Sequence, residues 1–312
     1  MHTTPSPHPL LRVELLADRQ RRWAGLFWSA PPGCADALAP WRLDPQVQAL
    51  AATMPCVWDD QPEPTVHTDP VFTAPPPAHA HWVRGAWYLA PPTAPGAPPA
   101  HRTQALQLLQ RVNADADTRE LEEVLRADPA LTYQLLRLVN AAGVGGGRQV
   151  TGFSQALLLL GRQQLQRWLQ LVVFAARDGD SRSHLLLAHV VLRARGMETL
   201  CKAAGGDRHA QEEAFITGMF SMLGTLFGQP LSDVLRPLAL SAPMQTALCG
   251  GAGELGALLG AWTAMETGAF DHLATQLEAL GVAPLPFNRL LLDSCDWTRQ
   301  LTQAQTAGGG HA

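Results

Sequence analysis

Histidine, carboxylate and serine side chains are the ones able to do chemistry in this chain, and their spacing limits what that chemistry could be. His184 and His189 stand five apart in SHLLLAHVVLRARGMETL. On a helix that spacing turns them about 140° from one another, so they make poor co-ligands for one metal; one exposed and one packed histidine is the expectation. His79 and His81 in APPPAHAHW sit in a proline-rich loop without an acidic neighbour. Glu122 with Glu123, and Glu212 with Glu213, are adjacent on helices and point about 100° apart, as solvated faces do and acid/base pairs do not. No G-x-S-x-G elbow is present. GVGGGRQVTG at 143–152 is rich in glycine but follows a helix, whereas phosphate-cradling glycines follow a strand, and no Gly-Lys-Ser/Thr occurs. It reads as a slack connector.

Other polar residues suit structural roles. Arg195 and Glu198, three apart in LRARGMETL, have the spacing of a helical ion pair, and Arg193 lies on the same helix. Asn140, closing LLRLVN, is placed to cap a helix end. Arginines in RQRR at 19–22 could meet phosphates. The five cysteines, Cys34, Cys56, Cys201, Cys249 and Cys295, are scattered and form no CxxC or Cys/His cluster, so neither a zinc site nor a disulfide framework is expected.

The elements that must position these residues divide at about residue 100. Most of the 25 prolines and most of the nine tryptophans precede it, and LLRVELL and HWVRGAWYLA are the short strand candidates there. Beyond it the texture is helical. Asp128-Pro129 is a helix start, with Leu131, Leu135 and Leu138 on one stripe. Helices follow at GRQQLQRWLQLVVFAAR, SHLLLAHVVLRARGMETLCKAAG, QEEAFITGMFSMLGTLF, LSDVLRPL, LGALLGAWTAMETGAF and NRLLLDSCDWTRQLTQ. The expectation is a mainly α chain: an irregular or small α+β module over 1–100, a helical domain over 101–305 and a tail over 306–312.

With 46% hydrophobic and 16% charged residues the 312-residue chain is globular. A net charge of -4 and a pI near 6.2 leave no global basic field for nucleic acid or an anionic membrane. No signal peptide or membrane span is recognisable in the sequence, so the expected setting is the cytoplasm.

Three stretches carry a resemblance: LEEVLRADPALTYQLLRLVNAAG, then VTGFSQALLLLGRQQLQRWLQLVVF, then RARGMETL with AFITGMFSMLGTLFGQPLSDVL and its continuation. Together they resemble the HDOD domain, in the version that follows an EAL domain in bacterial signalling proteins, over roughly residues 101–275. VRGAWYLAPP at 83–92 resembles an EAL domain's exit, but about 100 residues cannot hold a (β/α)8 barrel, which needs about 200 or more. The front is therefore either a degenerate EAL remnant or an unrelated module. EAL at 278–280 lies in a helical run and is coincidental, and GGDRH at 205–209 reads as a helix C-cap.

HDOD helices resemble those of HD-type metal phosphohydrolases, whose His-Asp pair sits in a helix like GLLHDIG. Aligned on Gly218 and Gly224, GMFSMLG has Ser221 and Met222 in those places, and no His-Asp dipeptide exists in the chain. Neither a hydroxyl nor a thioether replaces a charged hard ligand. The resemblance thus implies a non-catalytic regulatory protein without cofactor or metal, acting by protein contacts. Its implied partners are a histidine kinase, a response regulator or a protein of cyclic di-GMP signalling, with Arg193, Arg195, Glu198 and Asn140 as interaction or structural residues. The alternative is a cyclic di-GMP sensor using the N-terminal remnant or the interdomain cleft; a surviving metal phosphohydrolase comes last.

Overall fold

The computed structural model describes residues 9–61, 65–72, 74–91, short pieces between 108 and 121, 182–236 and 240–306. The expectations for Glu122, Glu123, the Asp128 cap, the Leu131–Leu135–Leu138 stripe, Asn140, the 143–152 loop and the helix at 161–177 lie outside the described residues.

Five short strands form one sheet in the order β3-β2-β1-β5-β4. These are β1 (Arg12–Ala17), β2 (Trp23–Ser29), β3 (Cys56–Trp58), β4 (Val66–Thr68) and β5 (Trp82–Arg84). β1 runs antiparallel to β2 and β5, and the outer strands β3 and β4 run parallel to their neighbours. The front is therefore more regular than its proline content suggests. The β1–β2 hairpin is tied by Asp18, whose carboxylate accepts from the backbone N–H groups of Gln20 and Arg22. Arg21 takes a left-handed φ of 62° in that turn.

The two sides of the sheet are unequal, as period two requires. Val13, Leu15 and Ala17 of β1, with Leu26 and Trp28 of β2, enter the main core. Leu16, Phe27 and Val57 form a small cluster on the other side, covered by Val66 and Trp82.

Nine helices follow among the described residues, besides short helical turns at 35–42 and 87–89 and helical pieces between 108 and 121. α1 (Pro45–Ala51) lies in the front part; α2 (Ser183–Ala203), α3 (Arg208–Phe220), α4 (Leu223–Phe227), α5 (Leu231–Leu235), α6 (Ala242–Gly250), α7 (Gly253–Thr267), α8 (Phe270–Ala279) and α9 (Pro284–Thr306) follow. α2 is buried over most of its surface because it is central: Leu185, Leu186, Val190, Val191, Ala194 and Met197 are all fully buried. Close packing around it depends on two missing side chains. A Cβ on Gly196 would sit 2.0 Å from the Trp262 ring, and one on Gly218 would sit 2.9 Å from the Ala194 Cα. The GGDRH segment is a helix boundary: Gly205 has φ +89°, and Asp207 caps α3 by accepting from the Ala210 N–H at 2.8 Å. Glu278 is an exposed residue of α8.

Sheet and helices share one continuous hydrophobic cluster, in which Val13 and Trp28 join Leu186 and Trp262. Polar clamps add to it. Asn288 on α9 accepts from the Leu11 N–H at 3.0 Å and donates to the Pro9 carbonyl at 2.8 Å. Arg289 meets both carboxylate oxygens of Asp44, the N-cap of α1, at 2.6 Å. Among the described residues no helix is long and apolar enough to cross a membrane.

Candidate functional site

The polar centre of the helices is built from four elements. α2 places His189 and Arg193 one turn apart on one face, where i and i+4 coincide. α7 brings Glu266 to them near its C-terminus, and the junction of α3 and α4 brings Ser221. Arg193 Nε donates to Glu266 Oε1 at 2.9 Å, Nη2 donates to Oε2, and Nη1 donates to Ser221 Oγ at 2.8 Å. Ser221 in turn donates to the Gly218 carbonyl at 2.7 Å. His189 Nε2 lies 3.2 Å from Arg193 Nη2 and 3.3 Å from Glu266 Oε1. Nε2 is thus placed to accept from the guanidinium or, when it carries a proton, to donate to the carboxylate. Nδ1 faces the Tyr88 hydroxyl at 3.3 Å, contributed by the helical turn that follows β5.

The centre is enclosed: the side chains of His189, Arg193 and Glu266 are 7%, 10% and 11% exposed. Burial pushes the Glu266 carboxyl up, but the charge of Arg193 and the contacts with His189 and Arg193 outweigh it and hold the pKa at about 2. Burial drives the Tyr88 phenol well above its usual range, so it stays protonated. One guanidinium thus faces one carboxylate, with the imidazole and the phenol packed around them. Arg12 of β1 extends the cluster to the sheet, donating from Nε and Nη2 to the Glu266 carbonyl at 3.1 and 3.0 Å. Glu14 balances Arg12 at 2.8 Å and also pairs with Arg84.

These residues do not fit a divalent metal. The one carboxylate is neutralised by a guanidinium, the hydroxyl of Ser221 accepts from the same guanidinium, and the thioether of Met222 belongs to the apolar core. A second cation here would be repelled by Arg193. No group of three His, Cys, Asp or Glu placed to hold a metal occurs among the described residues, and residues 122–181 contain neither His nor Cys.

A second feature is an open groove of about 670 Å³ between α2, α3 and α9. Arg195, Glu198 and Lys202 line it from α2, and Asp293, Asp296 and Trp297 from α9. Arg195 pairs with Glu198 at 2.8 Å and stacks its guanidinium over Trp297, 5.3 Å from the ring centroid. The groove offers both charge signs beside an aromatic ring.

Several sequence-based expectations change. GMFSMLG is not one helix: α3 ends at Phe220 and α4 begins at Leu223, with Ser221 and Met222 in a tight turn. Met222 is core, whereas Ser221 is half-buried and bound to Arg193, so the segment is only partly filled with apolar packing. Arg193 belongs to the buried centre, while Arg195 and Glu198 belong to the groove. One expectation is unchanged: His184 is exposed and His189 buried. The RQRR arginines are engaged internally: Arg19 donates to the Pro77 carbonyl at 2.8 Å, Arg21 donates to the Phe72 carbonyl, and Arg22 pairs with Asp18. Sequence reasoning missed Glu266, Tyr88 and Trp297. None of the three carried a local signal in the sequence.

Comparison with known proteins agrees with the helical architecture. Residues 97–233 match the HDOD domain. The chain is similar to YuxH of Bacillus subtilis (strain 168), an uncharacterized protein, with 26% identity over 42% of this chain and 32% of YuxH. It is also similar to the cyclic di-GMP phosphodiesterase CdgJ of Vibrio cholerae serotype O1, with 26% identity over 64% of this chain and 46% of CdgJ. The chain thus spans less than half the length of either relative. A solved structure from Shewanella amazonensis SB2B, provisionally described as a phosphohydrolase, covers 68% of this chain and 94% of its own with a TM-score of 0.43 and 16% identity. At that level the likeness carries no argument about chemistry.

Proposed function

We propose that this chain, which contains an HDOD domain, is a non-catalytic regulatory protein of bacterial signalling that works by contact with other proteins. The supporting observation is the closed centre. Among the described residues, the enclosed polar groups of this centre are spent on one another, Arg193 on Glu266 and Ser221, His189 on Tyr88 and Arg193. A nucleophile or general base needs a free lone pair within reach of a substrate, and these groups are bonded and enclosed.

The outward-facing chemistry lies instead in the α2–α9 groove, where Lys202, Asp293 and Trp297 present charge and an aromatic ring on rigid helices. Arginine and tryptophan are the side chains that most often anchor protein interfaces. The partner class is a histidine kinase, a response regulator or a protein of cyclic di-GMP signalling; the names of the similar proteins support only the last of these.

Binding of the purified chain to the kinases and response regulators of its own host, measured with and without the Trp297→Ala and Lys202→Glu changes, tests the reading. A partner whose affinity drops at least tenfold in both variants is expected. A partner unaffected by either change would move the interface elsewhere. Micromolar cyclic di-GMP binding with no protein partner would replace this reading by a sensor.

A further inference from the structure

The misfit between the centre and a divalent ion can be read in reverse. We propose that the space around Arg193 is a cation cage which the chain fills with its own guanidinium. The groups converging there are the donor types that hold metals: an imidazole nitrogen, a carboxylate and a hydroxyl. His189 Nε2 lies 3.2 Å from Nη2, Glu266 Oε1 2.9 Å from Nε, and Ser221 Oγ 2.8 Å from Nη1. The imidazole is presented by Nε2 because its Nδ1 is engaged by Tyr88, which is how second partners orient metal-ligating histidines.

The guanidinium does what a bound ion would do mechanically. It fastens α2 to α7 through Glu266 and to the α3–α4 turn through Ser221. Because this cation is covalently attached, the fold needs no divalent ion and the cage stays shut to one.

Geometry makes the idea testable. Positions 189 and 193 are i and i+4 on one helix, the spacing at which two histidines share a zinc ion. Arg193→His would therefore remove the internal cation and place a second imidazole beside His189 and Glu266, giving the two-histidine, one-glutamate donor set of many zinc sites. Melting of the full chain is measured for wild type, Arg193→His and Arg193→His/Glu266→Gln, in EDTA and in zinc chloride.

The wild type is expected to melt at the same temperature in both. Arg193→His should melt about 4 °C higher at a hundredfold excess of zinc over its dissociation constant. The double variant should lose that rise. A folded Arg193→His with no zinc response overturns the proposal, as does an equal response in wild type or in the double variant. If Arg193→His does not fold in EDTA, folding restored by zinc supports the cage and failure to fold in zinc overturns it.

The inference rests on the reading that the centre is not a hydrolytic site, but the two fail separately. Hydrolysis of a phosphate ester by the wild type would sink that reading and leave the zinc response of the variant as measured. A missing zinc response would leave partner binding standing.

Discussion

Replacing Arg193 by Met is the perturbation whose size the structure predicts most directly. The guanidinium donates to both oxygens of Glu266, and both side chains are about nine-tenths buried. Removing one member leaves a carboxylate enclosed with only His189 beside it, which costs about 3 to 5 kcal/mol in comparable pairs. Loss of the Ser221 contact adds little, because Ser221 keeps its bond to the Gly218 carbonyl. Removing both charges is different: buried ion pairs replaced by apolar side chains are often neutral or better. Arg193→Met/Glu266→Met should therefore recover most of the loss, landing within about 2 kcal/mol of wild type. Urea unfolding of the four proteins, extrapolated to water, gives the double-mutant cycle. Single variants within about 0.5 kcal/mol of wild type, or a double variant as unstable as the sum of the singles, would refute the claim that Arg193 and Glu266 act as one unit.

Three further outcomes follow from the same structure. The Glu266 pKa is held at about 2 in the folded chain, below the ordinary 4.5; its contribution to stability is present above about pH 5 and lost as the pH falls toward 2. The difference in stability between wild type and Glu266→Gln should accordingly shrink from pH 6 to pH 3, and a constant difference would contradict the assignment. Gly196→Ala should destabilise by about 2 kcal/mol or more in urea, since its Cβ meets the buried Trp262 ring at 2.0 Å; a neutral result would mean that α2 and α7 can separate. Asp44→Ala removes the N-cap of α1 and the Arg289 pair together, and should cost about 1 to 2 kcal/mol, with salt weakening only the Arg289 share.

Short-range features were legible in the sequence. The Arg195–Glu198 pair follows from i, i+3 spacing, and the helix boundary at 205–209 from its glycines, although that segment also supplies the Asp207 N-cap that a C-cap reading does not contain. What was not legible depends on distance along the chain. Glu266 lies 73 residues from Arg193, and nothing local marks it as a partner. The strands β3 and β4 have three residues each, too few for a period of two to register. The break at Ser221–Met222 falls among residues that carry no turn signal; the Ser221 hydroxyl, bonded back to Gly218 and forward to Arg193, accompanies it. Cys201 and Cys295, read as scattered thiols, are buried with their pKa pushed up by desolvation, which suits core residues rather than nucleophiles.

The central claim is that chemistry has left the middle of these helices and that their surface does the work. Turnover of cyclic di-GMP and of a generic phosphate ester by the purified chain, with Mg²⁺ or Mn²⁺ supplied, tests it most directly. The account predicts no hydrolysis above buffer and no change on replacing His189 by Ala. Turnover that disappears in His189→Ala would contradict it.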